Sequence, residues 1–148
     1  MGFWDSIFGT KKKAAGHALY RGKAFYFQRD SSCHLIRVVG ESFYQDEISK
    51  ATGRRGNEAL EHYCIVAIVP EIDNPYDKNA INVQINGHKV GYLSRDDARA
   101  YRKKAVAAIQ KGSVIAADGC VRAVDPAEAD TPNAGVVLWL PPPEELQF

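Results

Sequence analysis

No run of apolar residues in this chain approaches the ~18 that would suggest a membrane span, and its first residues lack the basic start, longer apolar core and small-residue cleavage site of a secretory signal. The expected compartment is the cytoplasm, or the nucleus if the source is eukaryotic, with membrane association not expected. Cysteine is scarce. Cys33, Cys64 and Cys120 are odd in number, widely spaced and without a C-x-x-C pair, which argues against a disulfide framework and against a zinc knuckle. His17, His34, His62 and His88 show no ligand spacing either, so no metal and no other cofactor is expected. Charge of one sign is also missing: a formal net charge of +1 argues against wholesale coating of nucleic acid, while leaving room for a local basic patch. The nucleophile elbow G-x-S-x-G, the Walker loop, H-E-x-x-H and the Rossmann glycine fingerprint are all absent. Two carboxylate pairs exist, but Asp73 and Asp77 belong to a turn and Asp96 and Asp97 to a helix start. Neither catalysis nor a small-molecule substrate is expected.

The 148 residues fit one domain, long enough to bury about two-thirds of the surface its unfolded chain exposes. Residues 1–32 read as an amphipathic segment and connecting arm, 33–141 as the folded barrel and 142–148 as an extended, loosely held tail. Phe3, Trp4, Ile7 and Phe8 share one helical face ahead of three lysines. So short a helix is marginal alone, so it docks on its own domain or on a protein partner, or lies on an anionic membrane. In the arm, Arg21, Lys23 and Arg29 alternate with Tyr20, Phe25, Tyr26 and Phe27. These aromatics either stack bases or form a core strand over residues 24–27.

Periodicity marks the rest. Strands are expected over 34–40, 63–69, 81–85, 88–92, 114–124 and 136–140, with a short helix over 46–51. Asn86-Gly87 is the sequence of a type I′ hairpin turn, whose two central residues need positive φ. A two-residue loop sets Ile85 opposite His88, Val83 opposite Val90 and Ile81 opposite Tyr92, which turns Tyr92 toward the core and leaves a bare spot at Gly91. Ser94 caps a helix to Gln110 with an apolar stripe of Ala98, Tyr101, Ala105 and Ile109 and a solvated basic face of Arg99, Lys103, Lys104 and Lys111. Hairpin-linked short strands with one substantial helix indicate a mainly β fold, a small OB-like barrel.

The stretch Asn74-Pro75-Tyr76-Asp77-Lys78-Asn79 carries the functional argument. Turn formers alone would make it a connection, but a tyrosine on a rigid turn is a stacking surface with a hydrogen-bonding tip. Val38-Val39-Gly40 with Phe43-Tyr44, the run from Asn74 to Val83, and Val90-Gly91-Tyr92-Leu93-Ser94-Arg95 with Ala98 together resemble the HIRAN domain over residues 34–124. The resemblance implies an OB-like barrel that binds single-stranded DNA at its 3′ end, in DNA repair or replication-fork handling. It also implies an end pocket of Asn74, Tyr76 and Asp77, base stacking on Phe43, and rim positions at Tyr92 and Arg95. The alternative is a protein-interaction module that docks through its N-terminal helix.

Overall fold

The computed structural model describes residues 23–125, 127, 128 and 132–148, so the expectations for Phe3, Trp4, Ile7 and Phe8 and for most of the arm lie outside the described residues. In chain order the elements are β1 (Ala24–Phe27), β2 (His34–Val39), α1 (Gln45–Thr52), β3 (Leu60–Pro70), β4 (Ile81–Ile85), β5 (His88–Leu93), α2 (Arg95–Gln110), β6 (Val114–Ala123) and β7 (Gly135–Leu140). Neighbouring strands run β6-β3-β4-β5-β2-β7, and β7 pairs with β6 to close a six-stranded antiparallel barrel. Closure leaves no free edge within the six strands.

The barrel fills with alternating inward residues, among them Ile36, Val66, Ile68, Ile81, Val83, Ile115, Val121 and Leu138, all buried. Tyr63 to Val69 does form the middle of a central strand, flanked by β4 and β6, and Pro70 ends it. Ile48 of α1 is fully buried, and Glu47 ties that helix to β5 through a 2.8 Å contact with His88.

The described end of the arm, residues 23–32, and the tail are more firmly held than the sequence suggests. Residues 24–27 form the strand alternative: β1 lies parallel to the first half of β6, whose second half pairs on the same side with β7. The tail is not loosely held. Leu146 is fully buried, and Phe148 stacks on Phe25 with ring centroids 4.5 Å apart. Tyr101 of α2 donates a 2.7 Å hydrogen bond to the carbonyl of Pro141, where the tail begins. An apolar residue one turn away from a proline run can bury itself without any sequence periodicity, which is why the pattern conceals it.

The turn at Asn86 and Gly87 has the required positive φ values, 51° and 77°. The register beyond it differs from the simple hairpin. Gln84 pairs with Lys89 but Val83 with Gly91, so Val90 has no opposite residue and the rest of β5 shifts by one. This β-bulge sets Tyr92 opposite Asn82 and not Ile81. The bare spot at Gly91 is filled by β2: a Cβ there would lie 2.5 Å from Val38 Cγ1 and 2.7 Å from the Val39 carbonyl oxygen.

Helix α2 begins at its expected cap, with the Ser94 hydroxyl accepting from the Asp97 amide at 3.1 Å. Its buried stripe is Ala98, Tyr101, Ala105 and Ala108, so Ala108 replaces the expected Ile109.

Candidate nucleic-acid interface

The loop between β3 and β4 is built by its own short polar side chains. Its neck closes where the Glu71 amide donates to the Ala80 carbonyl at 2.8 Å. Pro75 has no N–H, and the Asn74 side-chain oxygen instead accepts from the next two amides, Tyr76 at 2.8 Å and Asp77 at 3.0 Å. Asp77 Oδ1 accepts from the Asn79 amide at 2.9 Å, leaving Oδ2 without a hydrogen bond among the described residues. These nested turns fix the backbone and hold Tyr76 out in solvent, 96 % exposed.

Facing the loop is the first turn of α2. Tyr76, Asp77, Asn79, Arg95 and Arg99 together line a cleft of about 230 Å³. One carboxylate, two guanidinium groups, an amide and a phenol ring therefore converge on one cleft. The expected residues Tyr76, Asp77 and Arg95 meet here.

Asn74 and Tyr92 do not line the cleft; they stand behind it and share Glu71. Glu71 Oε1 accepts from Asn74 Nδ2 at 2.9 Å, and Oε2 accepts from Asn82 Nδ2 at 2.8 Å and Lys89 Nζ at 3.0 Å. The Tyr92 hydroxyl donates to the same carboxylate at 3.0 Å and is also bonded to Lys89. Burial works against the charge on Glu71, yet the hydrogen bonds from Asn82, Lys89 and Asn74 outweigh it and hold the carboxyl below its ordinary range. For Lys89 burial likewise opposes the charge, but its bonds to Tyr92 and Glu71 raise it well above the usual lysine value. The ammonium lies 4.3 Å from the centre of the Tyr92 ring, a cation–π contact that adds to the pair. Asn82 and Gln84, which alternate with Ile81, Val83 and Ile85 along β4, are also buried, with Gln84 donating to Asn82 at 2.9 Å.

Phe43 sits apart from the cleft, on a 3₁₀ turn that follows Gly40, and is 86 % exposed. The next residue, Tyr44, lies 6.3 Å from the Tyr92 ring. Tyr44, Tyr92, Glu71 and Asn74 thus form a continuous path between the Phe43 turn and the recognition loop.

Sequence reasoning missed Asn79, Arg99, Glu71 and Lys89. Arg99 had a readable signal, since it follows Arg95 by four residues and so shares its side of the helix. Glu71 and Lys89 had none, because they lie 18 residues apart and no local spacing pairs them.

A larger hollow of about 510 Å³ lies on the outer wall, lined in part by Leu35, Tyr63, Val137 and Trp139. It contains none of the recognition-loop residues. Among the described residues no cluster of His, Cys, Asp and Glu could hold a metal ion, and no helix is long and apolar enough to cross a membrane.

The HIRAN domain family model matches residues 33–132. A crystal structure of a protein from Lactobacillus plantarum is 26% identical, with 72% of this chain and 91% of that one covered and a TM-score of 0.43. The crystal structure of the HIRAN domain of human HLTF is also 26% identical, with 74% and 77% covered and a TM-score of 0.41. No curated protein sequence matches the chain. On the strength of the family match, which spans more than half of its length, the chain belongs to the HIRAN domain family.

Proposed function

We propose that the cleft beside Asp77 receives the free 3′-hydroxyl end of single-stranded DNA, and that the protein is a binding module in DNA repair or replication-fork handling in the cytoplasm, or the nucleus of a eukaryote. HIRAN domains are DNA-binding modules at the level of the family. The observation that carries the finer reading is the unpaired Oδ2 of Asp77 inside a cleft that also holds Arg95 and Tyr76. A carboxylate oxygen accepts a hydrogen bond from a terminal hydroxyl, whereas a terminal phosphate at that position meets like charge. Arg95 suits the first backbone phosphate. The exposed rings of Tyr76 and Phe43 offer faces for bases, each worth ~1–3 kcal/mol.

Asn74 and Tyr92 act in this reading by holding the loop, not by touching DNA. Fluorescence anisotropy with paired oligonucleotides tests it. A 3′-hydroxyl oligonucleotide should bind at least ~10-fold more tightly than its 3′-phosphate twin, the size of one hydrogen bond to a charged group. Asp77→Ala should erase that ratio. Equal binding of the two oligonucleotides by the unaltered protein refutes end recognition.

A further inference from the structure

Helix α2 carries cations on both sides of its buried stripe, and the two sides are in different states. On one flank Lys104 donates to the Leu146 carbonyl at 2.6 Å and Lys111 to the Phe148 carbonyl at 2.5 Å, so the tail occupies both. On the other flank are Arg95, Arg99 and Arg102, spaced i, i+4 and i+7, which places them in one row. Arg95 and Arg99 open into the cleft with Asp77. Arg99 approaches only Asp96, at 3.9 Å with both side chains largely exposed, a pairing of little strength. Arg102 is half-buried, and its Nη1 is covered without any hydrogen-bond partner. An unpaired covered donor on a guanidinium is uncommon, because leaving one unmade is costly. The carboxylates near the row are Asp77 at its start and Asp96 and Asp97 in the first turn, and Asp97 is engaged by Ser94.

We infer that this row is a phosphate track that leads the strand away from the end cleft. The inference rests on the end-binding reading above and adds a path, a direction and a length to it. From Arg95 to Arg102 the helix rises about 10 Å. Three phosphates on the three arginines divide that rise into two steps of about 5 Å each, longer than the ~3.4 Å of a fully stacked strand. The terminal nucleotide occupies the cleft, and the next three toward the 5′ side lie along α2 with their phosphates on Arg95, Arg99 and Arg102. The Arg102 side chain turns outward to reach its phosphate, exchanging an unpaired covered donor for a charge-assisted bond.

The test uses the full chain and 5′-labelled oligothymidylates of two to eight nucleotides, each with a 3′-hydroxyl or a 3′-phosphate, titrated at several sodium chloride concentrations. Affinity should rise with length up to about four nucleotides and then level off, as the track length requires. Arg99→Ala with Arg102→Ala should reduce the slope of log K against log salt by ~1.4, since each single-strand phosphate contact contributes ~0.7. The preference for the 3′-hydroxyl should survive in Arg102→Ala, whose side chain does not line the cleft. Asp77→Ala should do the reverse, losing the preference and keeping the slope. Arg122→Ala, in β6 and lining the outer-wall hollow, should change neither. Should the double variant fail to fold, the exposed Arg99→Ala alone should still lower the slope by ~0.7. An unchanged slope in the arginine variants, or a drop on Arg122→Ala instead, overturns the track. No preference in the unaltered protein, together with a lowered slope in the arginine variants, overturns end recognition and leaves the track standing.

Discussion

Replacing Glu71 by alanine removes one carboxylate that Asn74, Asn82, Lys89 and Tyr92 all use. The side chains of Lys89 and Glu71 are only 17% and 19% exposed, so water cannot fully replace what is lost. An exposed ion pair is worth at most ~1 kcal/mol and breaking a fully buried one costs ~3–5 kcal/mol, which sets the expected loss here at about 3 kcal/mol. For a domain of this size that lowers Tm by on the order of 10 °C. Glu71→Gln keeps an acceptor oxygen and should lose about half as much. Adding Lys89→Met to it should restore part of the loss by removing a half-buried ammonium that no longer faces a carboxylate at Glu71. The loop should respond too: with Asn74 released, the Tyr76 and Asp77 amides should exchange hydrogen faster. The sign with pH follows from the lowered Glu71 carboxyl. Its contribution is fully present above the unfolded glutamate value of ~4.3 and is lost as pH falls through the folded value. Glu47, lowered by its bond with His88, adds to the same acid limb. Thermal melts between pH 3 and 7 should therefore show a shallower acid limb in Glu71→Gln. A Glu71→Ala melt within 2–3 °C of the unaltered protein, a loss of under ~1 kcal/mol, refutes the role of the network. So does unchanged exchange at Tyr76 and Asp77.

Phe43→Ala should leave the melting temperature unchanged, since the ring is exposed, and weaken oligonucleotide binding by ~1–3 kcal/mol in an anisotropy titration. Gly91→Ala should destabilise by ~1–3 kcal/mol in urea, because its Cβ meets Val38 and the fixed backbone of Val39. Leu146→Ala should cost ~2–5 kcal/mol by the same measurement, against nearly nothing expected of a loose tail.

The strands and the hairpin turn were legible because alternation and Asn-Gly are local signals. What stayed hidden depends on partners far along the chain. Nothing within Ala24–Phe27 announces a parallel partner at Val114–Ala117. The bulge at Val90 lies in the pairing of β4 with β5, and it moved Tyr92 from the expected core face to the Glu71 network. In the candidate site Tyr76 could be singled out from the run around Pro75, and Asp77 and Arg95 from the family resemblance. Asn74 was named with them, but its part in forming the turn shows only in its bonds to two amides and to Glu71. Arg99 was assigned to a solvated helix face because local spacing does not reveal that the loop folds over the helix start.

The central claim is that DNA ends are read by the loop from Asn74 to Asn79 and the start of α2. Backbone amide NMR during titration with a 3′-hydroxyl oligothymidylate tests it most directly. The account predicts that the largest shifts fall at Tyr76, Asp77, Asn79, Arg95 and Arg99, and that they shrink when the oligonucleotide ends in a 3′-phosphate. Shifts centred on Tyr63, Val137 and Trp139 of the outer wall, with the loop unmoved, would contradict it.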